Sequence, residues 1–188
     1  MKNLLIVESE NDKFFVEALI RHINLTDVEV SKGFICSIDD FECLEGLSLP
    51  KLITTLKTVK LRAKKDGIEK LGVIIDLDDK TIEDRLTLVN EAIQDVFGVE
   101  NTLGGINNLY AFPLDEHQKI ELAVYFNNID GRGELETVLK AIKNAPSTHA
   151  DCLHNWQLCL QENHINDGTG LKDKDFDKFW VQVYIRFD

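Results

Sequence analysis

Leu71-Gly72-Val73-Ile74-Ile75-Asp76-Leu77-Asp78-Asp79 is the stretch on which the fold turns. A short apolar run, rich in β-branched residues, ends abruptly in three carboxylates. Such a run reads as a strand buried on both faces, of the kind found inside a parallel sheet. Residues two apart in a strand point to the same side. Asp76 and Asp78 are therefore expected to aim together into the crevice beyond the strand's carboxyl end, where open α/β sheets bind ligands. Carboxylates held that close repel one another unless a proton or a cation lies between them. A hard divalent ion with oxygen ligands, such as Mg²⁺, is the natural partner.

A second stretch has the same design. Asn3-Leu4-Leu5-Ile6-Val7 is another short apolar strand; it delivers Glu8, and Asp12 follows in the first turn of the next predicted helix. Two strands that end in carboxylates make one site if they are neighbours in the sheet.

The remaining composition sets bounds. The chain has 188 residues, 44% hydrophobic and 29% charged, enough for one domain with a sizeable core. No run approaches the roughly 20 apolar residues that span a bilayer. Nothing resembles a secretory leader either, so a cytoplasmic protein without membrane contact is expected. The net charge of -12 argues against coating nucleic acid by bulk attraction. One segment runs the other way: Lys51, Lys57, Lys60, Arg62, Lys64 and Lys65 lie between 51 and 65 with no acid among them. It reads as a solvated helix face or, more sharply, as a strip for a phosphate backbone. Cys36, Cys43, Cys152 and Cys159 are spaced too widely for a zinc knuckle and read as buried free thiols. A zinc site drawing on Cys152, Cys159, His149 or His154 is the weaker reading.

Apolar periodicity orders the chain. Helices are predicted over 11–23 (capped by Ser9 or Asn11), over 51–65 with Leu52, Leu56, Val59 and Ala63 as the buried stripe and Gly67 ending it, from Thr81 or Lys80 to Phe97 with Gly98 stopping it, and over 134–142 with Leu135, Val138, Leu139 and Ile142 facing the core. Strands are predicted around Val28–Val30, Phe34–Cys36, Leu109–Phe112 and Leu122–Phe126, with Asp39–Leu49 ambiguous, Pro50 closing it, and loops at 99–108 and 166–170. Beyond Pro146 the pattern is helical, with Leu153, Trp156 and Leu160 on one segment and Phe176, Trp180, Val183 and Phe187 on another. The expectation is a single α/β domain over 1–188. It has a mainly parallel, Rossmannoid sheet flanked by helices and a helical C-terminal part from about 147.

Leu5-Ile6-Val7-Glu8-Ser9-Glu10-Asn11-Asp12-Lys13-Phe14-Phe15, followed by Gly72-Val73-Ile74-Ile75-Asp76-Leu77-Asp78, resembles the Toprim fold of topoisomerases, primases, recombination-repair proteins and overcoming-lysogenization-defect (OLD) nucleases. Gly131-Arg132-Gly133-Glu134-Leu135-Glu136 and Asp177-Lys178-Phe179-Trp180 look like a small stand-alone Toprim-like family near the OLD-type domains. The family has Gly after its glutamate, where this chain has Ser9. The resemblance implies that Glu8 is a metal ligand or general base, and that Asp12, Asp76 and Asp78 are metal ligands. Glu136 would be a ligand of a second metal, and Lys178, or Lys174 behind it, would face the transition state. Glu8, Asp76 and Lys178 form the implied catalytic set.

The activity so implied is Mg²⁺- or Mn²⁺-dependent hydrolysis or nicking of nucleic acid, DNA ahead of RNA. A homodimer is compatible with it. Two other readings compete. In one, the domain is a non-catalytic Toprim-like module acting beside an ATPase partner, an association that the resemblance places in phage defence. In the other, Asp76-Leu77-Asp78-Asp79-Lys80-Thr81 is similar to the haloacid-dehalogenase-type phosphatase motif, with Asp76 as nucleophile. Lys80 breaks the usual Asp-x-Asp-x-Thr spacing of that motif.

Overall fold

The computed structural model describes residues 2–32, 48–99, 102–162 and 173–187. In chain order the elements are β1 (Lys2–Val7), α1 (Glu10–His22), β2 (Val28–Lys32), α2 (Leu49–Asp66), β3 (Ile68–Asp76), α3 (Ile82–Phe97), β4 (Tyr110–Pro113), β5 (Lys119–Asn127), α4 (Leu135–Ile142), α5 (Thr148–Glu162) and α6 (Asp173–Phe187). The expected strand at Phe34–Cys36, the ambiguous segment from Asp39, Cys36, Cys43 and the loop at 166–170 fall wholly or mainly outside the described residues.

The protein is an α/β fold whose five strands form one sheet in the order β2-β1-β3-β5-β4. β1 lies parallel to both β2 and β3, and β4 pairs antiparallel with β5. The two parallel neighbours of β1 need crossover connections, which α1 and α2 supply. The chain divides into two compact units, Met1–Phe126 and Asn127–Asp188.

In the first unit the two faces of the sheet are covered unequally. Leu71, Val73 and Ile75 of β3, with Leu77 after it, are completely buried and join Leu4 and Ile6 of β1. They pack with Leu52, Leu56, Val59 and Ala63 of α2 and with Val89, Ala92, Ile93, Val96 and Phe97 of α3. Ile74, on the other face, joins Leu5, Val7, Val28 and Val30 against Val16 and Ile20 of α1. The strand read as buried on both faces thus alternates between full and partial burial. Gly72 lies opposite Leu5 in the register, and a Cβ there would sit 2.2 Å from Leu5 Cδ2, so the leucine fills the space that a side chain would claim.

Pro50 does not close the preceding segment; it opens α2, in the first turn, where a missing N–H costs nothing. Gly67 and Gly98, both left-handed, end α2 and α3 as their positions implied. Four of the basic residues of α2 have partners within the unit. Lys57 pairs with Asp95, Arg62 with Glu29 and Asp66, and Lys64 with Asp115, while Lys60 Nζ donates to the Val96 carbonyl. A phosphate strip gets no support from cations so engaged.

The second unit has its own small core of Ala150, Phe176, Trp180 and Val181 from α5 and α6, with Leu139 of α4 against it. Buried Asp177 accepts from Lys140 Nζ at 2.7 Å and from Thr137 Oγ1 at 3.1 Å, which satisfies a charge that would otherwise be costly to bury. Several expected core residues here are exposed: Ile142, Trp156 and Phe187. Cys152 and Cys159, expected to be buried thiols, are exposed on α5.

Candidate functional site

β1 and β3 are parallel neighbours in a register that pairs Val7 with Ile74, so their carboxyl ends finish side by side. Glu8 leaves the end of β1, and its Oε2 accepts a hydrogen bond from the Asp76 backbone N–H at 3.0 Å. This link, across 68 positions of sequence, joins the two acidic strand ends that the sequence read as partners. Glu8, Asp12, Asp76 and Asp78 all belong to this corner of the first unit.

Each acid is placed by a local rule. Ser9 is the N-cap of α1, and Asp12 closes a capping box with it: Asp12 Oδ2 accepts from Ser9 N at 2.8 Å and from Ser9 Oγ at 2.5 Å. Ser9 stands in extended backbone, φ -126° and ψ 173°, a conformation that any residue adopts. The glycine of the Toprim pattern is therefore not required here, and the hydroxyl does what glycine could not. Ser9→Ala is expected to lower stability by about 1 kcal/mol, and Ser9→Gly by only a few tenths, read as shifts in the urea unfolding midpoint.

Asp78 departs from expectation. β3 ends at Asp76, and Asp78 sits in the left-handed region at φ 53°, so strand alternation no longer governs its side chain. Its Oδ2 lies 2.6 Å from Nη2 of Arg85, in the first turn of α3. Arg85 is almost wholly buried, with a side chain 7% exposed. Among the described residues its Nε has no hydrogen-bond partner. The start of α3 is itself fixed by a capping box in which Thr81 Oγ1 accepts from Asp84 N and Asp84 Oδ2 accepts from Thr81 N. Thr81, which a phosphatase motif would use toward phosphate, is thus a helix cap.

The electrostatics follow from crowding. Burial pushes the Glu8 carboxyl above its ordinary value of 4.5, and the charges of Asp78 and Asp12 push the same way; the Asp76 N–H and the Arg85 charge pull it back. A carboxyl raised in the folded state stabilises the fold fully below its ordinary value and loses that contribution as pH rises through the raised one. Glu8→Gln keeps an acceptor for the Asp76 N–H without the charge. Its melting temperature is expected to exceed the wild type's at pH 7, and the difference to close below pH 4.5, in thermal scans across that range.

The other sequence-derived site residues belong to the second unit. Glu136 is half-buried in the first turn of α4. Lys178 of α6 lies 3.1 Å from Oε2 of Glu134, the buried N-cap residue of α4, so its ammonium serves an internal charge. Lys174 falls in α6, where its side chain is outside the described set. Sequence reading missed Arg85 and Glu134. Arg85 had a signal: a cation in the first turn of a helix, against the dipole, needs an anion to hold it there.

Among the described residues no group of three or more His, Cys, Asp or Glu is arranged to hold one metal ion. This covers the zinc reading of Cys152, Cys159, His149 and His154, which gets no support. For the four acids of the first unit, two partners explain it: Ser9 holds Asp12, and Arg85 holds Asp78. The donor set still fits a hard cation in kind, being all oxygen, and in charge, since the four acids of this corner are offset, among the described residues, by a single ion pair, Arg85 with Asp78.

A cleft lined by Ala63, Ile68, Glu69, Leu114, His117 and Lys119 lies at the opposite end of β3 from Asp76 and includes none of these acids. No helix among the described residues is long and apolar enough to cross a membrane. Residues 2–188 match the profile of a family described as a protein of unknown function (DUF3226). No curated protein and no solved structure matches the chain.

Proposed function

Because the chain belongs to the DUF3226 family, described as of unknown function, the reading rests on the site: we propose a Toprim-like, metal-dependent phosphodiesterase acting on nucleic acid. The hydrogen bond from Asp76 N–H to Glu8 carries it, since it puts the acid closing β1 beside the acids closing β3. Glu8, Asp76 and Asp78, with Asp12 behind them, would hold Mg²⁺ or Mn²⁺. The bound ion would supply charge neutralisation for a phosphoryl group and a water of lowered pKa. Glu8, with a carboxyl held above its ordinary value by burial, would take up a proton more readily than an exposed carboxylate. DNA is the proposed substrate ahead of RNA, and a cytoplasmic setting goes with it. Glu136 and Lys178 stay in the proposal only as residues of the second unit; the Lys178–Glu134 pair gives the lysine a structural task instead.

The test is nicking of supercoiled plasmid with Mg²⁺ or Mn²⁺, compared with the same reaction in chelator. Metal-dependent relaxation supports the reading, and no cleavage with either metal overturns it.

A second reading has its own observation. The carboxylates of Asp12 and Asp78 already have partners in the protein, as in a Toprim-like module that works through a partner such as an ATPase instead of through catalysis. Calorimetric titration separates the two: no uptake at millimolar Mg²⁺ or Mn²⁺ favours the module.

A further inference from the structure

We infer that Arg85 is a resident counter-cation of the acidic corner, one that a divalent ion must displace from Asp78 before it can bind. The inference rests on the proposed metal site and names the residue that regulates its filling.

Four observations carry it. The guanidinium is buried, and burying a charge is costly unless it is paired. Its partner is Asp78, at 2.6 Å, one of the carboxylates proposed as a ligand. The corner it neutralises holds more than one acid, since Glu8 is tied to the backbone N–H of Asp76, two residues before Asp78. Finally, Arg85 sits in the first turn of α3, beside a capping box that already uses Asp84, where the helix dipole disfavours a cation. Neither the dipole nor capping explains a guanidinium there; the paired carboxylate of Asp78 does.

The pairing is also incomplete. A guanidinium has five N–H donors, and the buried Nε–H of Arg85 has no acceptor among the described residues. An unmade hydrogen bond of this kind costs free energy that exchange can recover. Asp78 contributes too, because its φ of 53° is an uncommon conformation for a residue other than glycine. The Asp78–Arg85 pair is thus held by charge against two local penalties. A dication at the same carboxylates would supply twice the charge and leave the guanidinium to turn outward, toward the phosphate of a substrate.

Manganese affinity, followed by calorimetry on the full chain, tests this. Arg85→Met keeps length and apolar packing while removing the charge, and it is expected to bind Mn²⁺ at least about tenfold more tightly than wild type, as befits the loss of a close competing charge. Arg85→Lys keeps the charge and is expected to stay near wild type. Wild-type protein gives a reading without substitution: the Arg85 Nε–H resonance should be protected from exchange without metal, and shift along the Mg²⁺ binding curve. Equal or weaker Mn²⁺ binding by Arg85→Met, with wild type binding, overturns the inference and leaves the metal site standing. An Nε–H signal unmoved at saturating Mg²⁺ also overturns it. Should neither wild type nor Arg85→Met bind metal, the metal site itself falls.

Discussion

Asp76→Ala is expected to abolish metal-dependent nicking, at least about a hundredfold below wild type, while the protein stays folded. The two halves of that expectation have separate grounds. Under the proposed nuclease reading activity would fall because Asp76 carries the carboxylate at the end of the central acidic strand, on the residue whose backbone N–H Glu8 accepts. Folding survives because the bond between the strand ends is made by the Asp76 backbone N–H, which alanine retains. Loss of a carboxylate from this crowded corner also relieves repulsion. Plasmid nicking beside circular dichroism and a thermal melt reads both halves. Equal nicking by Asp76→Ala and wild type would remove the nuclease reading, whatever the fold does.

One residue earlier the effect is of the opposite kind. Ile75→Ala is expected to lower stability by about 2–5 kcal/mol, the range for large-to-small changes at fully buried sites. Ile75 has no exposed surface and lies among Leu77, Val73 and Ile93 in the main core of the first unit. The helices around it relax only partly, so a cavity remains. Leu61→Ala is the control: Leu61 is 70% exposed on α2, and a change within about 0.5 kcal/mol is expected there. Urea unfolding with an unchanged slope measures both. A loss at Ile75 no larger than that at Leu61 would mean that β3 is not the centre of this core.

The sheet was legible because its strands are short, apolar and separated by helices with clear stripes. Leu52, Leu56, Val59 and Ala63 are each buried on α2, as their spacing required. The pairing of the acids was legible for a related reason: parallel strands finish at the same edge, so carboxylates that follow them must gather. Their individual directions were not. Asp78 lies past the strand and takes a left-handed turn, beyond the reach of alternation. The role of Arg85 needed the knowledge that α3 starts where that turn ends. In the second unit, amphipathic spacing named Trp156 and Ile142 as core, yet both are exposed. A stripe shows which residues share a face and not how much of it a neighbour covers. Asp177, charged and buried, runs against composition and is satisfied only through Lys140 and Thr137, a contact across elements.

The place of β1 inside the sheet has a bearing on how the chain is made. β1 leaves the ribosome before either neighbour; it pairs on one side with β2, close behind it, but on the other with β3: Leu4 faces Leu71. At about 5–20 residues per second, β1 waits roughly 3–13 s for that partner. During the wait an apolar strand edge stands open to solvent and to other nascent chains, which makes the interval before β3 emerges the step where chaperone binding or aggregation would be decided.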